Sequence, residues 1–336
     1  MQACNAVATM RRMEIELDER ARAGHRWAVE NLGLAEAKIN VLAADASFRR
    51  YFRIHNQANS WVLMDAPPEQ EDSAPFVAVS QRLHQAGVRA PEIYAQDLTQ
   101  GYLLLEDFGD SLLRELLSTD SAEHWMPPLF DLLSELARNV NAQGLPAWDR
   151  PRLQEELDLF TDWYLARHLA HDWGSSGRAA WQALCEQLIE RAEAQPQVFV
   201  HRDFHSCNLL LTGAQQLGVI DFQDAVRGPL SYDFASLLWD RYIHWPRHRI
   251  EAWSEQMRQR LAPDRTPQDW QCDVDWMGLQ RNLKIVGIFA RLHYRDGKAG
   301  YLHMAPQFFA YLRDVLPRYQ AFKDFDAILE DLPCAP

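Results

Sequence analysis

The sequence predicts an α+β chain of two unequal lobes, a small β-rich lobe first and a large helical lobe after it. Three observations predict it. Short runs rich in β-branched and aromatic residues crowd residues 37–106. Patterns of helical period fill most of the chain beyond. One strand-like island at 198–222 interrupts them. No Gly/Pro-rich stretch separates the two parts, so packed lobes with a hinge near residues 106–109 are expected.

In order, residues 1–24 are charged and patternless and are expected to be a flexible leader. Residues 25–106 form the predicted N-lobe. Strands are read at 37–42, 48–54 and 61–64, a helix at 75–87 ended by Gly87, then a strand led by Pro91 and the run Tyr102-Leu103-Leu104-Leu105. The predicted C-lobe, 107–336, carries helical patterns at 111–118, 122–142, 151–171, 177–193, 231–243, 247–261, 267–294 and 306–320. Inside it, 198–200, 209–211 and 217–222 read as strands around loops.

Composition excludes several classes. With 34 Lys+Arg against 47 Asp+Glu, a net charge of −13 is unsuited to wrapping a nucleic-acid backbone. Acidity serves solubility and mildly favours a cationic substrate. The longest apolar runs, such as Ile285-Val286-Gly287-Ile288-Phe289-Ala290, fall far short of the roughly 18 residues of a membrane span. Residues 1–24 hold no apolar stretch of a secretory signal. The five cysteines (Cys4, Cys185, Cys207, Cys272, Cys334) are odd in number and contain no C-x-x-C pair. A reducing compartment follows, and a cytoplasmic monomer is expected.

The chemistry is concentrated in the island. It reads His201-Arg202-Asp203-Phe204-His205-Ser206-Cys207-Asn208, and thirteen positions after Asn208 stands Asp221-Phe222. H-R-D-x-x-x-x-N followed by D-F is the spacing of a phosphoryl-transfer site. Such a reaction needs a carboxylate to hold and deprotonate the attacking hydroxyl, the role expected of Asp203. It needs oxygen ligands for Mg2+ to neutralise developing charge, expected of Asn208 and Asp221. A hairpin through the turn Thr212-Gly213-Ala214 would return Asp221 beside Asn208. A metallohydrolase built on His201, Asp203 and His205 is the alternative, and it leaves Asn208 and Asp221-Phe222 without a role.

These residues resemble those of the aminoglycoside phosphotransferase/choline kinase superfamily, which has a bilobal protein-kinase-like fold. His205 stands two residues after Asp203, where protein kinases place a Lys. The segment from Asp221 through Gly228 to Asp233 and Ala235 resembles the superfamily's short tail and leaves no room for an activation loop. The resemblance implies that Asp233 braces the catalytic loop; a helix N-cap is the plainer reading.

The N-lobe departs from the kinase pattern. It lacks G-x-G-x-x-G and carries Met64 where a phosphate-binding Lys is usual. In Asp45-Ala46-Ser47-Phe48-Arg49-Arg50-Tyr51-Phe52-Arg53, Ser47 would let backbone amides approach phosphates, and one of Arg49, Arg50 or Arg53 is expected to replace the missing Lys. Glu106 and Phe108 are expected to meet the adenine, against the alternative of a plain interlobe turn. D-A-S-F-R-R-Y-F-R, M-D-A-P-P, L-L-L-E-D-F-G-D and I-D-F-Q-D-A together resemble the bacterial anomeric kinases of N-acetylmuramate and N-acetylglucosamine in peptidoglycan recycling. That resemblance implies ATP, Mg2+ and a sugar phosphorylated at C1. His205, Asp224, Glu155, Trp163 and Arg167 are the acceptor candidates, and the cation-rich stretch 280–295 is a further one for an anionic substituent. The rivals are an aminoglycoside or other hydroxyl-compound kinase, and a nucleotide-binding module without catalysis.

Overall fold

The structure, a computed structural model, describes residues 17–44 and 48–332. Contacts divide the chain into two compact units, Met1–Leu117 with Ser206–Asp224, and Ser118–His205 with Ala225–Pro336. The hairpin inside the long helical stretch of sequence therefore belongs to the first unit.

That unit is built on an antiparallel sheet of five strands, β1 Lys38–Ala44, β2 Arg50–His55, β3 Ser60–Asp65, β4 Ile93–Asp97 and β5 Tyr102–Glu106, in the order β1-β2-β3-β5-β4. Helix Ala74–Gln85 connects β3 to β4. The expected leader is corrected at its end, because Glu19–Leu32 is a helix. Asp18 caps it by accepting from the Ala21 amide at 2.7 Å. Ala21 and Ala28 are buried beside Phe52, Ile54, Leu63 and Tyr102, and small residues suit that face because Gly24 lies against the Tyr102 ring. Charged residues on the opposite face hide this stripe from a reading by composition. Residues 1–16 lie outside the described residues.

The second unit is helical. Its main elements are Ala122–Asn139, Arg150–Leu159, Gly174–Glu193, Tyr232–Leu238, Arg247–Leu261, Pro267–Tyr294 and Ala305–Val315. Strands β6 Gln197–Val200 and β9 Val226–Pro229 pair within it, whereas β7 Leu209–Leu211 and β8 Leu217–Val219 pair within the first unit. The single helix expected over 151–171 is two elements: an α-helix to Leu159, then a π-helix, Phe160–His168. The change of pitch coincides with a tertiary contact. Gly287 of the long helix lies so close that a Cβ there would stand 2.3 Å from the Leu159 carbonyl carbon.

Candidate active site

In the first unit a pocket is walled by Leu42, Val62, Leu105, Leu210 and Ile220 and floored by Asn208 and Asp221. Its apolar sides suit a flat heterocycle, and its acidic end would accept an anion only across a cation. The hairpin is bound to its surroundings by backbone: Leu211 N donates to Ser111 O at 2.8 Å, and Val219 N to Arg89 O at 2.8 Å. Gly218 lies against the Phe108 ring, leaving no space for a side chain there. The predicted return of Asp221 to Asn208 is seen as an Asn208 Nδ2 to Asp221 Oδ2 distance of 3.5 Å. Asp221 is held at φ 62°, in the left-handed region, with Gln223 Nε2 donating to its Oδ1 at 3.0 Å. Phe222 is fully buried and its ring centre lies 4.7 Å from that of Phe76.

Glu106 and Phe108 line the same pocket. The Glu106 carboxylate is taken by Arg89, whose Nη1 is 2.7 Å from Oε2, and the Arg89 guanidinium covers the Phe108 ring at 4.7 Å. The three candidate arginines differ. Arg49 is buried. Arg50 donates to Asp65 at 3.1 Å, sharing that fully buried carboxylate with Arg20 at 2.7 Å. Arg53 bridges Asp107 and Asp110, with contacts of 2.7 and 2.8 Å. Burial works to raise the Asp107 carboxyl, but Arg53, Ser60 and the Gly109 amide hold it below the ordinary value. Met64 is fully buried. Ser47 lies outside the described residues. Asp224 is exposed and accepts from Gln223 at 3.3 Å.

Asp203, His205 and Asp233 belong to the second unit. Asp233 accepts two successive backbone amides of the catalytic loop, from His201 at 2.6 Å and Arg202 at 3.0 Å. Burial pushes its carboxyl up to about 6, against the opposing pull of His201 and the two amides. Arg202 stands at φ 74°, a second non-glycine left-handed residue. Burial would raise the Asp203 carboxyl, but the nearby charges, Lys284 and Arg202 among them, hold it well below the usual range, so it is ionised at neutral pH. His205 is buried, its Nδ1 has no hydrogen-bond partner, and desolvation lowers it to about 3; it is a neutral imidazole.

Of the remaining acceptor candidates, Glu155 and Arg167 are exposed and Trp163 is half-buried. Trp163 and Arg167 lie on the π-helix and do not share one α-helical face with Glu155. The neighbouring Glu156 is the engaged residue. It is paired with Arg202, accepts from Gln280 Nε2 at 3.0 Å and lies 3.7 Å from Lys284 Nζ. Spacing offers the signal: Leu153, Leu157 and Phe160 are buried, which turns Glu156 inward and Glu155 outward. Among the described residues there is no group of three or more His, Cys, Asp or Glu that could hold a metal ion.

A model of the phosphotransferase enzyme family matches residues 38–271. The chain is 41% identical over 302 residues to an N-acetylmuramate/N-acetylglucosamine kinase of Pseudomonas aeruginosa, covering 88% of this chain and 89% of the relative. It is 37% identical over 304 residues to a kinase of the same name from Neisseria meningitidis, covering 88% and 90%. Among solved structures, an ethanolamine kinase of Plasmodium vivax superposes with a TM-score of 0.65 at 12% identity, over 95% of this chain and 96% of that one. An aminoglycoside 2′-phosphotransferase-IIIa superposes with a TM-score of 0.62 at 13% identity, over 87% and 99%. The last two show the fold, which is kinase-like.

Proposed function

The chain belongs to the phosphotransferase enzyme family and is a small-molecule kinase, and on that premise we propose that it transfers the γ-phosphoryl group of ATP to the anomeric hydroxyl of N-acetylmuramate and N-acetylglucosamine. One observation carries the chemistry. A single loop holds an ionised carboxylate, Asp203, directly after two amides clamped by Asp233, and leads five residues on into Asn208, which faces Asp221. The acceptor is supported by the names of the relatives, which match over most of the chain.

In this proposal Asp203 orients the C1 hydroxyl and accepts its proton late, because phosphoryl transfer passes through a loose transition state. An anomeric hydroxyl is more acidic than an ordinary alcohol, so a strongly ionised, weakly basic carboxylate suffices. Asn208 and Asp221 would hold Mg2+, which neutralises charge on the nucleotide phosphates. The adenine is assigned to the apolar pocket beside Glu106 and Phe108. The phosphates are assigned to Ser47 and to the group Arg49, Arg50 and Arg53, of which Arg50 and Arg53 would exchange a carboxylate for a phosphate. His205, Asp224, Glu155, Trp163 and Arg167 remain the acceptor candidates. A cytoplasmic, monomeric enzyme of peptidoglycan recycling completes the proposal.

The test is ATP consumption with free N-acetylglucosamine, free N-acetylmuramate, methyl N-acetylglucosaminide and kanamycin-type aminoglycosides. The methyl glycoside blocks C1 and leaves C6 open. Turnover with the free sugars alone is expected. Equal turnover of the glycoside, or better turnover of the aminoglycosides, would overturn the sugar assignment and leave the kinase assignment standing.

A further inference from the structure

We infer that Glu156 is a positioning residue for phosphoryl transfer: by holding the side chain of Arg202 it fixes the peptide that carries Asp203. The inference rests on the reading of Asp203 as the acceptor-orienting carboxylate. Arg202 is the residue immediately before Asp203 and has a backbone that L-residues seldom adopt, φ 74°. Such a backbone is strained and persists only where its surroundings over-determine it. Here they do so from two sides. Asp233 takes the Arg202 amide at 3.0 Å. Glu156 takes its guanidinium as an ion pair. The peptide that follows has a contact of its own, Asp203 N donating to His201 Nδ1 at 3.3 Å, and the ion pair adds a tether on the side chain between these two backbone contacts.

The platform beneath is rigid. The Arg202 guanidinium lies 5.3 Å from the centre of the Trp148 ring, and Trp148 packs edge-on to Tyr232 at 4.3 Å. Trp148 N donates to Arg227 O at 2.9 Å. Lys284 donates to the Tyr232 hydroxyl at 2.9 Å and lies 3.7 Å from Glu156, while Gln280 donates to Glu156 at 3.0 Å. Trp148, Tyr232, Gln280 and Lys284 are all buried. A carboxylate so enclosed by the protein's own donors orients a neighbour and has little left with which to bind a sugar. Glu156 and Asp203 share the two cations Arg202 and Lys284, so loss of Glu156 would leave a single anion facing both in a dry setting.

The experiment is steady-state kinetics on the full chain, comparing wild type, Glu156→Gln, Arg202→Gln and the double variant, on whichever acceptor the wild type phosphorylates. Thermal unfolding is recorded for each. A positioning role predicts kcat down about 10- to 100-fold in each single variant, the scale of a small misplacement of a reacting group. Both KM values should stay within about twofold of wild type, and the double variant should be no slower than the worse single, because the pair acts as a unit. A kcat within twofold of wild type in folded Glu156→Gln would overturn the inference. So would a loss confined to the sugar KM, which would make Glu156 a binding residue, or losses that multiply in the double variant. If Glu156→Gln does not fold, Arg202→Gln decides alone, since its side chain is partly exposed and Glu156 keeps Gln280 and Lys284. A wild type inactive on every sugar refutes the substrate proposal instead, a result separate from any of these.

Discussion

Two residues hold the left-handed backbone at the ends of the motif that carries the chemistry, Arg202 at φ 74° and Asp221 at φ 62°. Asn tolerates that conformation well. Asp221→Asn should therefore fold, yet lose the gain in nucleotide affinity that Mg2+ brings; titrations with and without the metal check this, and an undiminished gain removes Asp221 from metal binding. Asp203→Asn should lower turnover by about 100-fold or more while leaving ATP binding nearly intact. Activity near wild type would take Asp203 out of the mechanism. Asp233 adds a pH dependence. Its carboxyl is raised to about 6, so the fold favours its protonated form. That contribution is complete below about pH 4 and is lost as pH rises toward 6, on the order of 3 kcal/mol across the window. Urea midpoints between pH 4 and 7 should fall through that range in wild type and run flatter in Asp233→Asn. These residues were legible because they sit in one fixed spacing. Glu156, Gln280 and Lys284 were harder to see, since their meeting joins residues more than a hundred positions apart.

At the scale of elements, the informative contact is between the long helix Pro267–Tyr294 and the turn where an α-helix becomes a π-helix. Gly→Ala inside a helix ordinarily stabilises by roughly 0.5–1 kcal/mol. Gly287→Ala should do the opposite. Its Cβ would meet backbone, the Leu159 carbonyl carbon at 2.3 Å and oxygen at 2.4 Å, and backbone cannot step aside as a side chain does. A loss of at least about 1–3 kcal/mol is expected from overpacking. Chemical denaturation checks it, and a gain would mean that the two helices separate freely. Period alone showed the helix but not its change of pitch, which falls where Gly287, 128 positions from Leu159, packs against the backbone. The strands of the first sheet were readable because β-branched and aromatic runs bounded by turn residues determine them locally. The helix Glu19–Leu32 was missed, since its stripe is made of Ala and Gly, which composition does not mark as core.

At the scale of the molecule, the family match spans both compact units, and each contributes part of one motif. Asp203 lies two residues before the end of a segment of the second unit, and Asn208 two residues after the start of a segment of the first. Nucleotide with Mg2+ should stabilise the chain with the logarithm of its excess over Kd, by about 2.7 kcal/mol at a hundredfold excess, and raise the unfolding temperature accordingly. The same nucleotide with a chelator should give a smaller rise. Equal shifts would make the site indifferent to the ion.

The placement of Ser206–Asp224 with Met1–Leu117 has a consequence for synthesis. As the chain leaves the ribosome, the five-stranded sheet is complete about a hundred residues before the hairpin that seats beside Ser111, Arg89 and Phe108 has been made. Until residue 224 emerges, those backbone groups lack their partners, and Phe108 is uncovered on the side that Gly218 later closes. A nascent chain stalled before that point, or a product cut short there, carries the whole sheet but neither Asn208 nor Asp221. The first unit thus finishes folding only after residues 118–205 of the second have been translated, and no truncation from the C-terminal side can isolate it intact.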